Sequence, residues 1–140
     1  MKNQDEKCVM ILLDRLPLGL AANTAAIMGI TLGKLLPEAV GPDVTDQSGM
    51  IHPGIIAFPV PILCADAESL SALFQKLRDP AYADLTVVDF SDLAQGCKTY
   101  DEYTQRMGQT PQGRLSYLGL ALCGPKKKVN RLTGCMALLR

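Results

Sequence analysis

Short runs of almost unbroken hydrophobic side chains alternate along this chain with segments that are apolar on one side only. Lys7–Leu13, "KCVMILL", is the first of the continuous runs and is dominated by Val, Ile and Leu. A run without polar alternation predicts a strand covered on both of its faces. Beyond the turn "DRLPLG", the small and aliphatic residues of Leu20–Leu36 predict a helix that stops at Pro37, because proline disfavours the α region for the residue before it. "IIAFPVPILCA", Ile55–Ala65, predicts a second strand. Its Pro59 and Pro61 lie two apart, so both missing N–H groups point the same way and the strand belongs at an edge or pairs freely on one side only.

The remaining elements follow the same logic. Asp66 is placed to cap a helix over Ala67–Asp79, whose Leu70, Leu73, Phe74 and Leu77 repeat on one face. "DLTVVDFSD", Asp84–Asp92, predicts a third strand, and "TYDEYTQRM" a short helix with a capping box formed by Thr99 and Glu102. "LSYLGLAL" predicts the fourth strand, and Pro125 opens a last helix that runs to about Thr133 and is stopped by Gly134. Strands that alternate with helices predict one α/β layered domain over residues 1–140, with a four-stranded mixed or mostly parallel sheet flanked by helices. Pro37–Gly54, within the longer Pro37–Phe58 connection, is punctuated by Pro, Gly, Asp and Ser and reads as a long loop of the kind that is functional or mobile rather than idle.

Composition narrows the function classes. Fourteen Lys and Arg balance fourteen Asp and Glu, so no overall field draws the chain to nucleic acid or to a membrane, and any basic site is local. Lys126, Lys127 and Lys128 are such a local cluster. The five cysteines have no C-x-x-C spacing and the histidine is single, which predicts neither a disulfide framework nor a metal site, and no cofactor. Leu16–Gly33 carries no charge and contains Gly29-x-x-x-Gly33, but it is interrupted by Pro17 and barely reaches a span's length. It reads as a buried helix of a soluble protein with no membrane contact. The apolar N-terminal run is too short for a signal peptide, so a cytoplasmic location is expected.

Several side chains carry candidate chemistry. Asp92, at the C-terminal end of the third strand, stands where open α/β sheets bind ligands and could act as a base, or orient a water or a hydroxyl. The alternative is a turn in which its carboxylate bonds its own backbone. His52, the single histidine, is either a pocket-lining or a surface residue of the long loop. Asn23 offers an amide in an apolar neighbourhood, or a local bond to its own helix terminus. Tyr100, Tyr103 and Tyr117 could stack on a flat ring or belong to the core. Lys126 and Lys127 stand where the last helix opens toward an anion, with solvated charge as the plainer reading.

Two places carry a family resemblance. Leu118-Gly119-Leu120, Gly124-Pro125 and Arg131-Leu132-Thr133-Gly134, together with Ala21-Ala22-Asn23, resemble the type II peptidyl-tRNA hydrolases. "GLAANTAAIMG", "HPGI", "PVPIL" and "GPKKKVNRLTG" together resemble a small bacterial family of unknown function that is similar to those hydrolases in fold. The resemblance implies a peptidyl-tRNA hydrolase II-like domain, a homodimer, and a cleft between the Gly19–Asn23 turn, Asp92 and the His52 loop. Such a cleft would take a small or nucleotide-like ligand, with Gly19, Asn23, His52, Lys126 and Lys127 as binding residues. The alternative is a hydrolase that acts on peptidyl-tRNA or a related ester through Asp92, with tRNA as partner. The hydrolases' lysine is missing from Leu16–Leu20, and their Asp-Ala-Gly stands here as Asp92-Leu93-Ala94, so only the carboxylate carries over.

Overall fold

The computed structural model describes residues 5–140. In chain order the elements are β1 (Glu6–Leu13), α1 (Leu18–Leu35), β2 (Val44–Thr45), β3 (Ile51–His52), β4 (Ile62–Ala65) and α2 (Ala67–Lys76). There follow β5 (Thr86–Ser91), α3 (Asp92–Gln95), α4 (Tyr100–Gly108), β6 (Tyr117–Pro125), α5 (Lys126–Thr133) and β7 (Ala137–Leu138). The apolar runs become the sheet. Asp66 caps α2 by accepting from the Ser69 N–H at 2.7 Å, and Thr99 caps α4 by accepting from the Glu102 N–H at 3.1 Å. The Glu102 carboxylate reaches back to the Lys98 N–H at 3.0 Å, one residue before the expected partner.

The main sheet has five strands, in the order β5-β6-β1-β4-β7. β1 lies at its centre, parallel to β4 and antiparallel to β6, while β5 and β7 pair antiparallel with β6 and β4. β1, β4 and β5 therefore end at one edge, the upper edge, where α1, α2 and α3 begin. β6 ends at the lower edge, where α5 begins. The sheet is mixed, with one parallel pair.

Two expectations need correction. Among the described residues the main sheet has five strands rather than four, because the Ala137–Leu138 segment adds β7 against Cys64 and Leu63. β4 is consequently internal rather than an edge strand. Its prolines do not interrupt the ladder because β4 starts after them, and the Pro61 carbonyl accepts from the Met10 N–H at 3.0 Å. The long loop also holds structure of its own. β2 and β3 form a hairpin whose turn places Gly49 at φ 87°, a left-handed conformation that glycine adopts without strain.

Alternation along the strands builds two cores. Val9, Ile11, Leu120 and Leu122 meet α2 and α5 through Leu70, Leu73, Val129 and Leu132. Cys8, Met10, Leu12, Ala121 and Cys123 face α1 through Ala21, Met28 and Leu32. Full burial of a Leu or Ile stabilises by about 1.5–3 kcal/mol, so the first set contributes much of the stability. Gly119 lets α1 approach closely: a Cβ there would lie 2.9 Å from both Met28 Cε and Thr24 Cγ2. α1 is, among the described residues, the one helix long and apolar enough to cross a membrane, and its Ala21, Thr24, Met28 and Leu32 are buried on the sheet.

Candidate functional site

The upper edge brings together part of the expected cleft. Asp92 opens α3 directly after β5, with the Ser91 hydroxyl accepting from the Ala94 N–H at 3.4 Å. The Asp92 N–H donates to the Ser116 carbonyl at 2.9 Å, and the Ser116 N–H donates to Asp92 Oδ1 at 3.3 Å. Asp92 thus ties the end of β5 to the start of β6 through its backbone N–H and its carboxylate. Asn23 Nδ2 donates to Gln95 Oε1 at 3.2 Å, so the first turns of α1 lie beside the short helix that Asp92 begins. Gly19 has open space where a side chain would stand.

His52 and the lysines are elsewhere. The hairpin that carries His52 hangs from the Val40–Ile56 bridge and the Ala57 N–H to Ala39 carbonyl bond, just beyond the C-terminus of α1. Eighteen residues of helix at 1.5 Å each put roughly 27 Å between the two ends of α1. His52 Nε2 lies 2.8 Å from Asp46 Oδ2 within the exposed hairpin. That bond, followed by the Met50 N–H, holds the Asp46 carboxyl below its ordinary pKa. The His52 loop is therefore not a wall of a cleft with Asn23 and Asp92, since sequence order hides that α1 carries the chain to the opposite end.

Lys126 and Lys127 are also at the lower edge, exposed at the start of α5. The Lys126 N–H is taken by the Asp5 carbonyl at 2.9 Å, and Lys128 Nζ donates to the Ala81 carbonyl at 2.7 Å and Asp84 Oδ1 at 2.9 Å. Glu6, Glu38 and Asp84 line the adjoining hollow. An anion there meets three carboxylates beside the lysines, and one of the helix's first N–H groups is already used.

A larger site lies on the flank. Between α1, the outer edge of β5 and α4 runs a groove of about 500 Å³. Ile27, Thr31 and Leu35, each one turn apart on α1, give one wall; Val87–Phe90 give the floor; Cys97–Tyr100 and Tyr103 give the other wall. Among the described residues β5 pairs only with β6, so its outer backbone groups face this groove without a neighbouring strand. Tyr100 and Tyr103 meet edge to face with ring centroids 5.5 Å apart. Tyr100 is 78% exposed, so most of its side chain is open to solvent.

The groove's polar groups are fixed by a small network. Cys97 Sγ donates to the Leu93 carbonyl at 3.2 Å, and Arg106 Nη1 approaches the same sulfur at 3.8 Å. Arg106 also lies 3.6 Å from Glu102 Oε1. Glu102 is thus engaged by Arg106 and by the Lys98 backbone, and Lys98 Nζ has no ion-pair partner among the described residues. Burial raises the pKa of the Tyr103 phenol, with Asp89 adding to the effect. Asp89 reaches water at the open strand edge, yet the atoms packed around it remove enough solvent to raise its carboxyl as well. An apolar wall, an aromatic wall and an unpaired cation suit a flat ring joined to an anionic group.

Residues 6–140 match the family described as Protein of unknown function (DUF2000). The chain belongs to this family. A solved structure similar to this DUF2000 chain is the protein of unknown function Atu0240 from Agrobacterium tumefaciens str. C58. It is 20% identical, covers 97% of this chain and 98% of its own, and has a TM-score of 0.86. At that identity the likeness shows the α/β fold. No curated protein matches the chain.

Tyr100 and Tyr103 were legible as stacking candidates. Lys98 and Asp89 escape notice because one reads as a loop charge and the other as a polar break in a strand. Their signal is partial: Lys98 precedes the Thr99 cap and so stands at a helix mouth. Only the placement of α1 against β5 gives them a common site.

Proposed function

We propose that the protein binds a small, nucleotide-like ligand in the groove between α1, β5 and α4. The observation that carries this reading is that the Tyr100–Tyr103 pair and Lys98 share one wall of a groove of about 500 Å³, facing the apolar wall of α1. That volume falls within the roughly 300–1,000 Å³ of small-molecule sites. Ring stacking on Tyr100, charge pairing with Lys98 and hydrogen bonds to the open β5 edge would each hold a different part of the ligand. The packing of α1 on the sheet supports a soluble protein.

Calorimetric titration with adenosine monophosphate tests it. Saturable binding is expected, weakened about tenfold by Lys98→Ala and by Tyr100→Ala, as loss of a stacking or charge contact worth about 1–3 kcal/mol requires. Both side chains are exposed, so neither substitution threatens the fold. Absence of saturable binding, or binding indifferent to both variants, would overturn the proposal.

A second reading rests on the Asn23–Gln95 contact, which sets the first turns of α1 beside the helix that Asp92 begins. It supports the peptidyl-tRNA hydrolase II-like resemblance and a hydrolase that uses Asp92. Turnover of peptidyl-tRNA by the wild type, lost in Asp92→Asn, would favour this reading over ligand binding alone.

A further inference from the structure

Cys8 and Cys123 stand directly opposite each other on β1 and β6. The ladder defines how they meet. The Lys126 N–H donates to the Asp5 carbonyl, which makes that pair a hydrogen-bonded one. Antiparallel pairs alternate, so Lys7–Gly124 is hydrogen-bonded, while Glu6–Pro125 and Cys8–Cys123 are not. Pro125, which has no N–H to donate, sits at just such a position. Non-hydrogen-bonded pairs hold their Cα atoms about 4.5 Å apart, at the near end of the roughly 4.4–6.8 Å that a disulfide spans. Both thiols are free, and both are buried.

The same two thiols line an apolar cavity of about 170 Å³ between the sheet, α1 and the returning loop. Leu32, Ile56 and Val60 are among its walls, and Gly29 and Gly33 keep it open. A Cβ on Gly29 would touch only Met10 Cε at 3.7 Å, and one on Gly33 would meet nothing within 4 Å. The G-x-x-x-G spacing of α1 therefore makes room above the thiols. An apolar cavity of about 150 Å³ admits benzene, so this one is large enough for a short-chain organic molecule.

We propose that Cys8 and Cys123 form a dithiol site that reduces a small apolar hydroperoxide and closes to a cross-strand disulfide. Interaction between the two opposed thiols raises the pKa of Cys8 and lowers that of Cys123, so Cys123 is the one of the pair that gives up its proton more readily. The Cys123 thiolate attacks the outer oxygen of the hydroperoxide; the O–O bond breaks, and the alkoxide leaves and takes up the proton that Cys123 released, as the alcohol. Cys123 is then a sulfenic acid. Cys8 sulfur attacks the Cys123 sulfur, the S–S bond forms, and hydroxide leaves with the Cys8 proton as water. Two thiols lose two electrons, and one hydroperoxide becomes one alcohol and one water.

The test is treatment of the intact protein with tert-butyl hydroperoxide, followed by alkylation and tryptic mass mapping. The expected product links Cys8–Arg15 to Leu115–Lys126 with loss of two hydrogens, at least fivefold faster than with hydrogen peroxide at equal concentration. In Cys8→Ala the reaction should stop at a dimedone-reactive sulfenic acid on Cys123. Replacing Cys64, Cys97 and Cys135 by serine should leave the linked peptide intact. Oxidation of the exposed Cys135 while Cys8 and Cys123 are recovered as alkylated thiols would overturn the proposal, as would faster linkage by hydrogen peroxide.

Discussion

On the α2/α5 side of the sheet, Val9, Ile11, Leu120 and Leu122 meet Leu70, Leu73, Val129 and Leu132, and large aliphatic side chains fill the space. On the α1 side the same strands present Cys8, Met10, Leu12, Gly119, Ala121 and Cys123, a set in which small side chains predominate. The alternation is identical and the strand neighbours are shared, so topology does not distinguish the two faces. Side-chain size does. The first face is lined by large aliphatic side chains of the kind that pack densely in protein interiors. The second lets α1 touch the sheet at Gly119, leaves a cavity beneath Gly29 and Gly33, and buries the Thr24 hydroxyl without a partner among the described residues. Stability is concentrated on one side, and the room for ligands and thiol chemistry lies around α1.

The comparison can be broken most forcefully in the filled core. Leu120→Ala should cost about 2–5 kcal/mol, because a fully buried side chain loses its contacts and leaves a void. Met10→Ala should cost clearly less, since Met10 already borders empty space. Denaturant unfolding of both variants measures this, and equal losses would mean that the two faces are packed alike.

Two glycines sharpen the contrast within the α1 side. Gly119→Ala places a methyl against Met28, Thr24 and Leu12 Cδ2, and should destabilise by about 1–3 kcal/mol as α1 is pushed away. Gly33→Ala meets nothing and replaces a helix-interior glycine, so it should stabilise by about 0.5–1 kcal/mol. Thermal unfolding should move in opposite directions for the two. The same sign at both positions would contradict the account of where α1 is tight and where it is open.

Much of the fold could be read in the residues. The unbroken apolar run of β1 announces a strand covered on both faces, and Asp66 and Thr99 announce the helices they cap. β7 was illegible because two residues, Ala137 and Leu138, carry too little pattern to distinguish a strand from an apolar tail. The Pro59–Pro61 spacing misled for a related reason: it describes the approach to β4, and the strand itself is short. The site was less legible than the fold. Asn23 and the Asp92 helix do lie side by side, but His52, Lys126 and Lys127 depend on which end of α1 or β6 the chain has reached. Cys8 and Cys123 meet only through the register of β1 on β6, and Tyr100, Tyr103 and Lys98 acquire a shared wall only when α1 crosses β5.

The most direct test of the groove as the ligand site is a two-dimensional 15N NMR titration with adenosine monophosphate. Saturable shifts should concentrate on Ile27, Thr31, Val87–Phe90 and Cys97–Tyr103, and the β2–β3 hairpin and the start of α5 should stay still. Shifts confined to Gly19–Asn23 and Asp92, or to Lys126 and Lys127, would contradict the central claim.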